Sequence, residues 1–459
     1  MMRSLYSAVS GLKTHQTKMD VIGNNIANVN TVGFKSSAVT FSDIMYQTIS
    51  SASGANALTG KGGVNAKQIG LGVTTGSTTV SISTAGAAQT TGNPFDIKLT
   101  DSNTTNFFVV NNGSENLFTR SGSFYVDGSG NLAMSSTGYN VMGWQVDATT
   151  GEIKKDTVSK MQIMSPKNLY SDPEATTNAY VSGVIDSNDT DVKSTNGKLI
   201  STTVYDSLGY KYTAKLAIKS TATAGQYTVS MDSLTDSNNT VVADSTTTPT
   251  AASLLAGGTG TPLSTPLYFN TSTGAFNGIT TSGATNSAVT LDLSTLGAKF
   301  GNVKVDFSGV TNYNNNGTST IAMKDGTSSK DTTGAGKKLG SLTGVTVDSA
   351  GKIYGTYDNG NTKLLSQIAV AQFSNASGLE KVGENCYTTT LNSGDFDGIG
   401  TDISADGSKM ATGQLEMSNV DLSTEFTEMI TTQRGFQANS RVITTSDSLL
   451  EELINLKRS

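Results

Sequence analysis

The sequence predicts a mainly β protein with a long α-helix at each end. The two helices carry heptad seams and are expected to meet as a coiled-coil domain, with nested antiparallel β domains between them in sequence. Three observations carry this expectation. Apolar residues recur at heptad spacing near both ends, the stretches between them alternate short apolar runs with turn signals, and strands do not alternate with helices as a crossover-linked parallel sheet would require.

Residues 2–29 read as the first helix. Leu5, Leu12, Met19 and Ile26 recur every seven residues, with Met2 and Val9 on the interleaved positions. Gln16 and Gly23 break the interleaved set, so the apolar stripe is narrow. Asn24, Asn25, Asn28 and Asn30 crowd the end of this helix. Asparagine competes for backbone groups inside helices but tolerates their ends, so Asn28 and Asn30 fray or cap the helix and Gly33 permits a positive φ beyond it. The same amides can also bond a neighbouring chain without desolvating a charge; an ordinary C-cap is the plainer reading.

Residues 31–75 form a connecting region. Phe34, Phe41, Ile44, Met45 and Tyr46 come early, and a run rich in Gly, Ala, Ser and Asn follows over 50–65. Such a chain buries too little apolar surface to offset an ordering entropy of about 1–2 kcal/mol per residue, so neighbours are expected to structure it.

Strands dominate from residue 76. FFVVNNGSENLFTRSGSFYVDGSGNLAMSSTGYNVMGW (107–144) alternates apolar runs with NNG, DGSG and STG turns, and comparable units return at 199–220, 345–360 and 364–375. This predicts an inner β domain of 76–165 plus 364–419, into which 166–363 is inserted as an outer β region, with 225–340 a candidate for subdivision. Residues 245–291 carry no charge, but Leu267, Tyr268, Phe269, Val289 and Leu291 can anchor strands there, which favours a loosely patterned β region over partial disorder.

The second helix belongs to the terminal domain of 1–30 plus 420–459. Steps of four and three pick out Leu422, Phe426, Met429, Phe436, Ile443, Leu450 and Ile454, with breaks at Gln433, Ser440 and Asp447. Val442, Leu449, Leu453 and Leu456 open a second apolar stripe. A helix apolar on two faces needs two partners, so one face is expected to meet another copy of the chain.

Composition excludes several classes of function. A formal net charge of −6 over 459 residues argues against nucleic acid as a partner. The single cysteine, Cys386, rules out an internal disulfide framework. No run of 18 apolar residues occurs, so membrane insertion is not expected, and the N-terminal segment lacks the apolar core of a general secretion signal. His15 lies inside a helix and reads as a surface or interface residue. ALTGKGGVNAKQIGLGVTTG (57–76) fails as a phosphate loop, because Ala55 stands where the first glycine belongs and Gly62 where Ser or Thr must hold magnesium. DSNDTD (186–191) lacks the glycine and the distal glutamate of a calcium loop, and GDFDGIGTD (394–402) pairs Asp with Gly as β-turns do. Trp144 reads as core. No catalytic, cofactor or metal site is expected.

The two ends carry a resemblance. SLYSAVSGLKTHQTKMDVIGNNIANVNTVGFK (4–35) and LEMSNVDLSTEFTEMITTQRGFQANSRVITTSDSLLEELINLKR (415–458) resemble the signatures of the bacterial flagellar axial family, which includes rod, hook and hook-associated proteins. TRSGSFYVDGSGNL with GYNVMGW, TTVYDSLGYKYT, and IAVAQFSNASGLEKVGENCYTTTLNSG are similar to the hook branch of that family, and the similarity fades across 225–340. The resemblance implies a structural subunit of the flagellar hook, a helical tubular polymer that acts as a flexible joint and passes motor torque from rod to filament. It implies terminal helices that pair around a central channel. The implied partners are further copies of the chain, the distal rod, hook cap and hook–filament junction proteins, and the flagellar type III export apparatus that delivers subunits unfolded to the hook outside the cell. The residues expected to mediate assembly are Leu5, Val9, Leu12, Met19, Asn24, Asn25, Ile26, Asn28, Gly33, Phe34, Phe426, Met429, Phe436, Ile443, Leu449, Leu450, Leu453 and Ile454. A distal rod or junction protein of the same family is the nearest alternative. A surface adhesin would need a secretion signal or anchor, and a polysaccharide-acting enzyme would need aromatic platforms beside paired acids.

Overall fold

The computed structural model describes residues 2–55, 60–147, 150–256, 264–279 and 286–458, without the side chains of 457 and 458. Parts of the charge-free segment (257–263 and 280–285) and of the phosphate-loop-like string (57–59) lie outside the described residues. Met2–Ala27 and Leu422–Arg458 are α-helices of 26 and 37 residues, and almost all other regular structure is β.

Local chemistry sets the helix ends. The Asn28 backbone N–H reaches the carbonyls of Asn24 and Asn25, and its side-chain amide also donates to Asn24 O at 2.9 Å, which closes the last turn of the first helix. Asp421 caps the second: its carboxylate accepts the Ser423 N–H at 2.9 Å and the Thr424 hydroxyl at 3.2 Å. The helices run antiparallel. Lys18 pairs with Glu428 at 3.0 Å, Asn25 donates to Glu425 at 2.9 Å, and His15 lies against Gly435, where a Cβ would stand 2.7 Å from the imidazole ring.

Their seam differs from the expected one. In the first helix the buried residues are Ala8, Gly11, Thr14, Ile22 and Asn25, while Leu5, Val9, Leu12, Met19 and Ile26 are half-buried. In the second, Thr432 and Ser446 are buried, and Met429, Phe436, Ile443 and Leu450 flank them half-buried. Small and polar side chains let the two backbones approach closely, so the larger apolar groups are displaced to the edges of the seam. Phe426 lies off the seam altogether and is exposed.

The chain divides into two units. The first comprises Met1–Ser165, Val345–Gly355 and Leu364–Ser459; the second comprises Pro166–Gly344 and Thr356–Lys363. Residues 345–355 thus group with the first unit, so the second is not the uninterrupted stretch 166–363 that the strand patterning suggests. Ile353 explains the return, because its side chain is fully buried in the first unit's core.

In the first unit, Asn106–Asn111 pairs with Asn116–Thr119, with Asn140–Gln145 and with Val370–Gln372, all antiparallel. Cys386–Thr388 adds to Asn116–Thr119, and Glu380–Gly383 adds to Cys386–Thr388. The run FFVV is apolar without alternation because both of its faces are buried: Phe108 and Val110 enter one core, Phe107 and Val109 the other. Trp144 is buried, and its indole N–H donates to the carbonyls of Asp156 and Ile399, both at 3.0 Å.

The second unit encloses one core between two sheets. Five strands order as Leu255–Ala256, Ala288–Asp292, Asn302–Asn312, Asn178–Ile185 and Ala322–Asp325. The other sheet runs Lys198–Tyr205, Lys211–Ser220, Gln226–Asp236, Thr265–Phe269 and Phe276–Ile279, with Val241–Ala243 on its third strand. Val181, Leu216, Val229, Leu267, Leu291 and Phe307 meet between them, so the described part of the charge-free segment supplies core strands. Asn178–Ile185 and Asn302–Asn312 pair in parallel, which departs from a wholly antiparallel design. Most of the unit's other strands lie between these two in sequence, a connection long enough to bring a parallel partner round.

Because each unit has its own core, replacing 167–343 by a short flexible linker is expected to leave a first unit that still unfolds cooperatively. Fluorescence of Trp144, the only tryptophan, reports that unit. A sigmoidal thermal transition checks the expectation, and a featureless slope refutes it.

Candidate assembly interface

Both ends of the chain enter the first unit at one point. Gly33 has φ of 70°, and a Cβ there would stand 2.7 Å from the Ser121 backbone nitrogen, so only glycine fits this turn. Its N–H donates to Glu416 O at 2.8 Å, which ties the segment after the first helix to the segment before the second. Ser36 N–H donates to Asn419 Oδ1 at 2.8 Å, and the Asn419 amide donates to Ser81 O at 2.9 Å.

Beneath these bonds lies a buried ionic cluster. The side chains of Lys35, Arg120 and Glu416 are each 1% exposed. Lys35 Nζ donates to Glu416 Oε1 and to Thr84 O, both at 2.7 Å. Arg120 grips Glu416 Oε2 through Nε at 3.1 Å and Nη2 at 2.8 Å, while its Nη1 reaches Asp101 Oδ2 at 2.8 Å and Asn106 O at 2.6 Å. The Gly86 N–H adds a bond to Glu416 Oε1 at 3.0 Å. Burial works against the Glu416 charge, but attraction to Arg120 and then Lys35, with the hydrogen bonds, outweighs it and holds the carboxyl below its ordinary value. Burial, opposed by attraction to Glu416, holds the Lys35 ammonium below its ordinary value. Sequence reading missed this cluster, because its members stand 381 and 296 positions apart. The available signal was the placement of Lys35 and Glu416 just outside the two helices.

The structure sorts the residues expected to mediate assembly into three groups. Asn25, Gly33 and Phe34 are used inside the subunit. Asn25 is 1% exposed; its oxygen accepts the Ser37 N–H at 3.0 Å, and its amide donates to Ser37 O and Glu425. Phe34 is buried, with Lys381 Nζ 4.1 Å from its ring centroid. The half-buried group holds Leu5, Val9, Leu12, Met19, Ile26 and Asn28 with Met429, Phe436, Ile443 and Leu450. Asn24, Phe426, Leu449, Leu453 and Ile454 are exposed, as are Ile430, Val442 and Leu456. Exposed apolar residues therefore stand toward both ends of the second helix, Phe426 and Ile430 in its first turns and Val442, Leu449, Leu453, Ile454 and Leu456 in its second half.

The connecting region adds a second open surface. Strand β1 (Ser37–Asp43) pairs antiparallel with β4 (Val73–Val80), and β2 (Tyr46–Ser50) with β3 (Lys67–Gly70). The pairing satisfies backbone groups within the subunit, a degree of internal order that the composition did not suggest. Ser10 Oγ accepts the Val73 N–H at 3.2 Å, and Phe41 meets His15 edge-on at 5.4 Å, which anchors the ribbon to the first helix. Ile44, Met45, Tyr46, Ile49 and Ile69 stay exposed. A two-stranded ribbon buries neither face by itself.

The carboxylates that invited a chemical reading are occupied by backbone donors. Asp186 accepts the N–H groups of Asn188, Asn315 and Gly317, which hold it below the ordinary carboxyl value, and Asp189 accepts those of Asp191 and Ser319. Asp397 accepts from Ile399 and Gly400; Asp402 caps a short turn at Ser404 and pairs with Lys155 at 2.9 Å. Among the described residues no group of His, Cys, Asp and Glu could hold a metal ion.

Comparison with known proteins gives three family profiles. The profile described as flagella basal body rod protein matches residues 5–35, flagellar basal body rod FlgEFG protein C-terminal matches 411–456, and flagellar basal body protein FlaE D2 domain matches 168–327. The flagellar hook protein FlgE of Treponema pallidum (strain Nichols) is 35% identical over 495 aligned positions covering 100% of both chains. That of Borreliella burgdorferi (strain ATCC 35210 / DSM 4680 / CIP 102532 / B31) is 34% identical over 470, again covering 100% of both. The flagellar basal-body rod protein FlgG of Bacillus subtilis (strain 168) is 29% identical over 458, with 100% of both covered.

The ionic cluster yields a stability prediction. Glu416→Ala is expected to destabilise the first unit by about 3–5 kcal/mol, since Lys35 loses its carboxylate and Arg120 keeps only Asp101, whereas Lys35→Met with Glu416→Gln costs less than the sum of the single changes. Urea denaturation followed at Trp144 measures both. A carboxyl held low when folded stabilises above its unfolded value of about 4.3 and loses that contribution as pH falls through the folded value. The urea midpoint of the wild type should thus fall on acidification below about pH 4 more steeply than that of Glu416→Gln.

Proposed function

The chain belongs to the flagellar hook protein family, and from that premise we propose that it is a structural subunit of the bacterial flagellar hook which joins further copies of itself through its terminal helices and exposed ribbon. The observation that carries this reading is the open apolar face near the end of the second helix. Leu449, Leu453, Ile454 and Leu456 are exposed on the last turns of a helix whose earlier turns are paired within the subunit at Glu425, Glu428 and Gly435. Each large apolar side chain left in water forgoes about 1.5–3 kcal/mol, and a second copy supplies the missing cover.

The hook assignment is supported over the rod alternative by full-length identities of 35% and 34% against 29%, and by the D2 profile across 168–327. Profiles for rod proteins match the two helical ends. A shared helical end favours stacking of the hook on a distal rod of like construction, with cap and junction proteins at its far end. In this reading the helices form the inner, coiled-coil wall of a tube around the export channel. The type III apparatus delivers the chain unfolded, and the two β units project outward. The small, polar seam keeps the helix pair marginal in a free subunit, so the tube forms only where neighbours cover the second face.

Leu449→Asp with Leu453→Asp is expected to leave the thermal unfolding of both β units unchanged and to abolish polymer growth, read by sedimentation and electron microscopy. Polymers of normal length would refute the helix-face interface. Amide exchange over 37–55 and 60–80 should be fast in the monomer outside the paired backbone groups and slow markedly in the polymer. Equal protection in both states would remove the ribbon from the interface.

A further inference from the structure

A cavity of about 520 Å³ opens in the first unit where the first helix ends. Asn28, Thr31 and Val32 form one wall, Ser121, Ser123, Met134, Ser135 and Ser136 a second, and Glu384 with Asn385 the rim. Its lining offers five hydroxyls and one carboxylate and no cation. The first helix ends at Ala27, next to the lining residue Asn28, so the negative end of its dipole, roughly half a charge, lies beside the cavity. The cavity is electronegative and rich in acceptors.

The rim is built in an unusual way. Gly383 pairs with Cys386, so Glu384 and Asn385 are the two residues of a tight hairpin turn, with φ of 51° and 56°. Turns of this shape prefer Asn-Gly, because a side chain with a Cβ is strained in the left-handed region. Asn385 suits its place, and its amide donates to Val32 O at 2.8 Å, fastening the turn to the segment after the helix. Glutamate does not suit the turn. Its carboxylate makes no ion pair among the described residues. Its backbone carbonyl accepts the Cys386 thiol at 3.6 Å, while its side chain faces solvent at the rim, where an external partner can reach it.

The sequence offers a fitting occupant. Of the five arginines, Arg120 is buried in the ionic cluster and the other four lie in the terminal helices. Arg434 and Arg441 are exposed on the second helix and make no ion pair among the described residues. A guanidinium carries five donors in a planar fork, which suits a carboxylate set among hydroxyls better than an ammonium does.

We infer that this cavity is a socket for an arginine, Arg434 or Arg441, of the second helix of another copy of the chain. The inference rests on the self-assembly reading above and names the polar contact that accompanies its apolar one. The socket fixes the register of neighbouring subunits, since a desolvated charge pair tolerates displacement far less than an apolar face does.

Glu384→Gly separates folding from docking, because glycine relieves the turn while removing the carboxylate. This variant is expected to unfold at or above the wild-type temperature, yet to need at least tenfold more protein before polymer appears in sedimentation. Glu384→Arg should block assembly, and adding Arg434→Glu with Arg441→Glu should restore a threshold near that of the wild type. A Glu384→Gly chain that polymerises at the wild-type threshold overturns the socket, and failure of the charge exchange to restore Glu384→Arg overturns the choice of arginine. A wild-type chain that forms no polymer strikes instead at the self-assembly reading.

Discussion

Glu416 is the constraint on which the first unit depends. A carboxylate removed from water is tolerable only when its partners are all present, and here they come from Lys35, Gly86 and Arg120. Those residues belong to the segment after the first helix, a loop beyond the ribbon, and a strand end of the central sheet. None can be displaced without leaving a buried charge unpaired. The cluster therefore fixes where both ends of the chain leave the β unit, and so brings the two helices side by side. Gly33 and Asn419 reinforce it with uncharged bonds that lie over it.

The helix pair that follows is held by close backbone approach and a few polar contacts. Ala8, Gly11, Thr14, Thr432 and Ser446 occupy most of the buried positions, beside Ile22 and Asn25. The arrangement divides labour between the faces. Polar bonds such as Lys18 to Glu428 and Asn25 to Glu425 set direction and register within the subunit, and the apolar side chains remain available outside it. A seam built from leucines would bury those groups and leave little to drive association.

The β units show how a chain poor in charge handles polarity. Aspartates close turns by accepting backbone N–H groups at Asp127, Asp186 and Asp236, so the few charges present are used to hold the backbone. Full-length relatives of the chain are named as flagellar hook and rod proteins.

The sequence by itself determined the element types and the two ends. Heptad-spaced apolar residues from Leu5 to Ile26 and from Leu422 to Ile454 required helices, Asn28 and Gly33 marked an end, and FFVV among turn signals required strands. These are local properties, set by side-chain spacing and backbone preference within a few residues. Only the tertiary structure decided which face of each helix is the seam, which of the asparagines is buried, that 345–355 rejoins the first unit, and that Lys35, Arg120 and Glu416 meet. The expected seam failed because helical periodicity identifies a stripe without naming its partner, and small residues such as Gly11 and Thr432 carry no hydrophobic signal. The ionic cluster was invisible for a related reason: the attraction between charges depends on distance through space and on the exclusion of water, and neither is written in the distance along the chain.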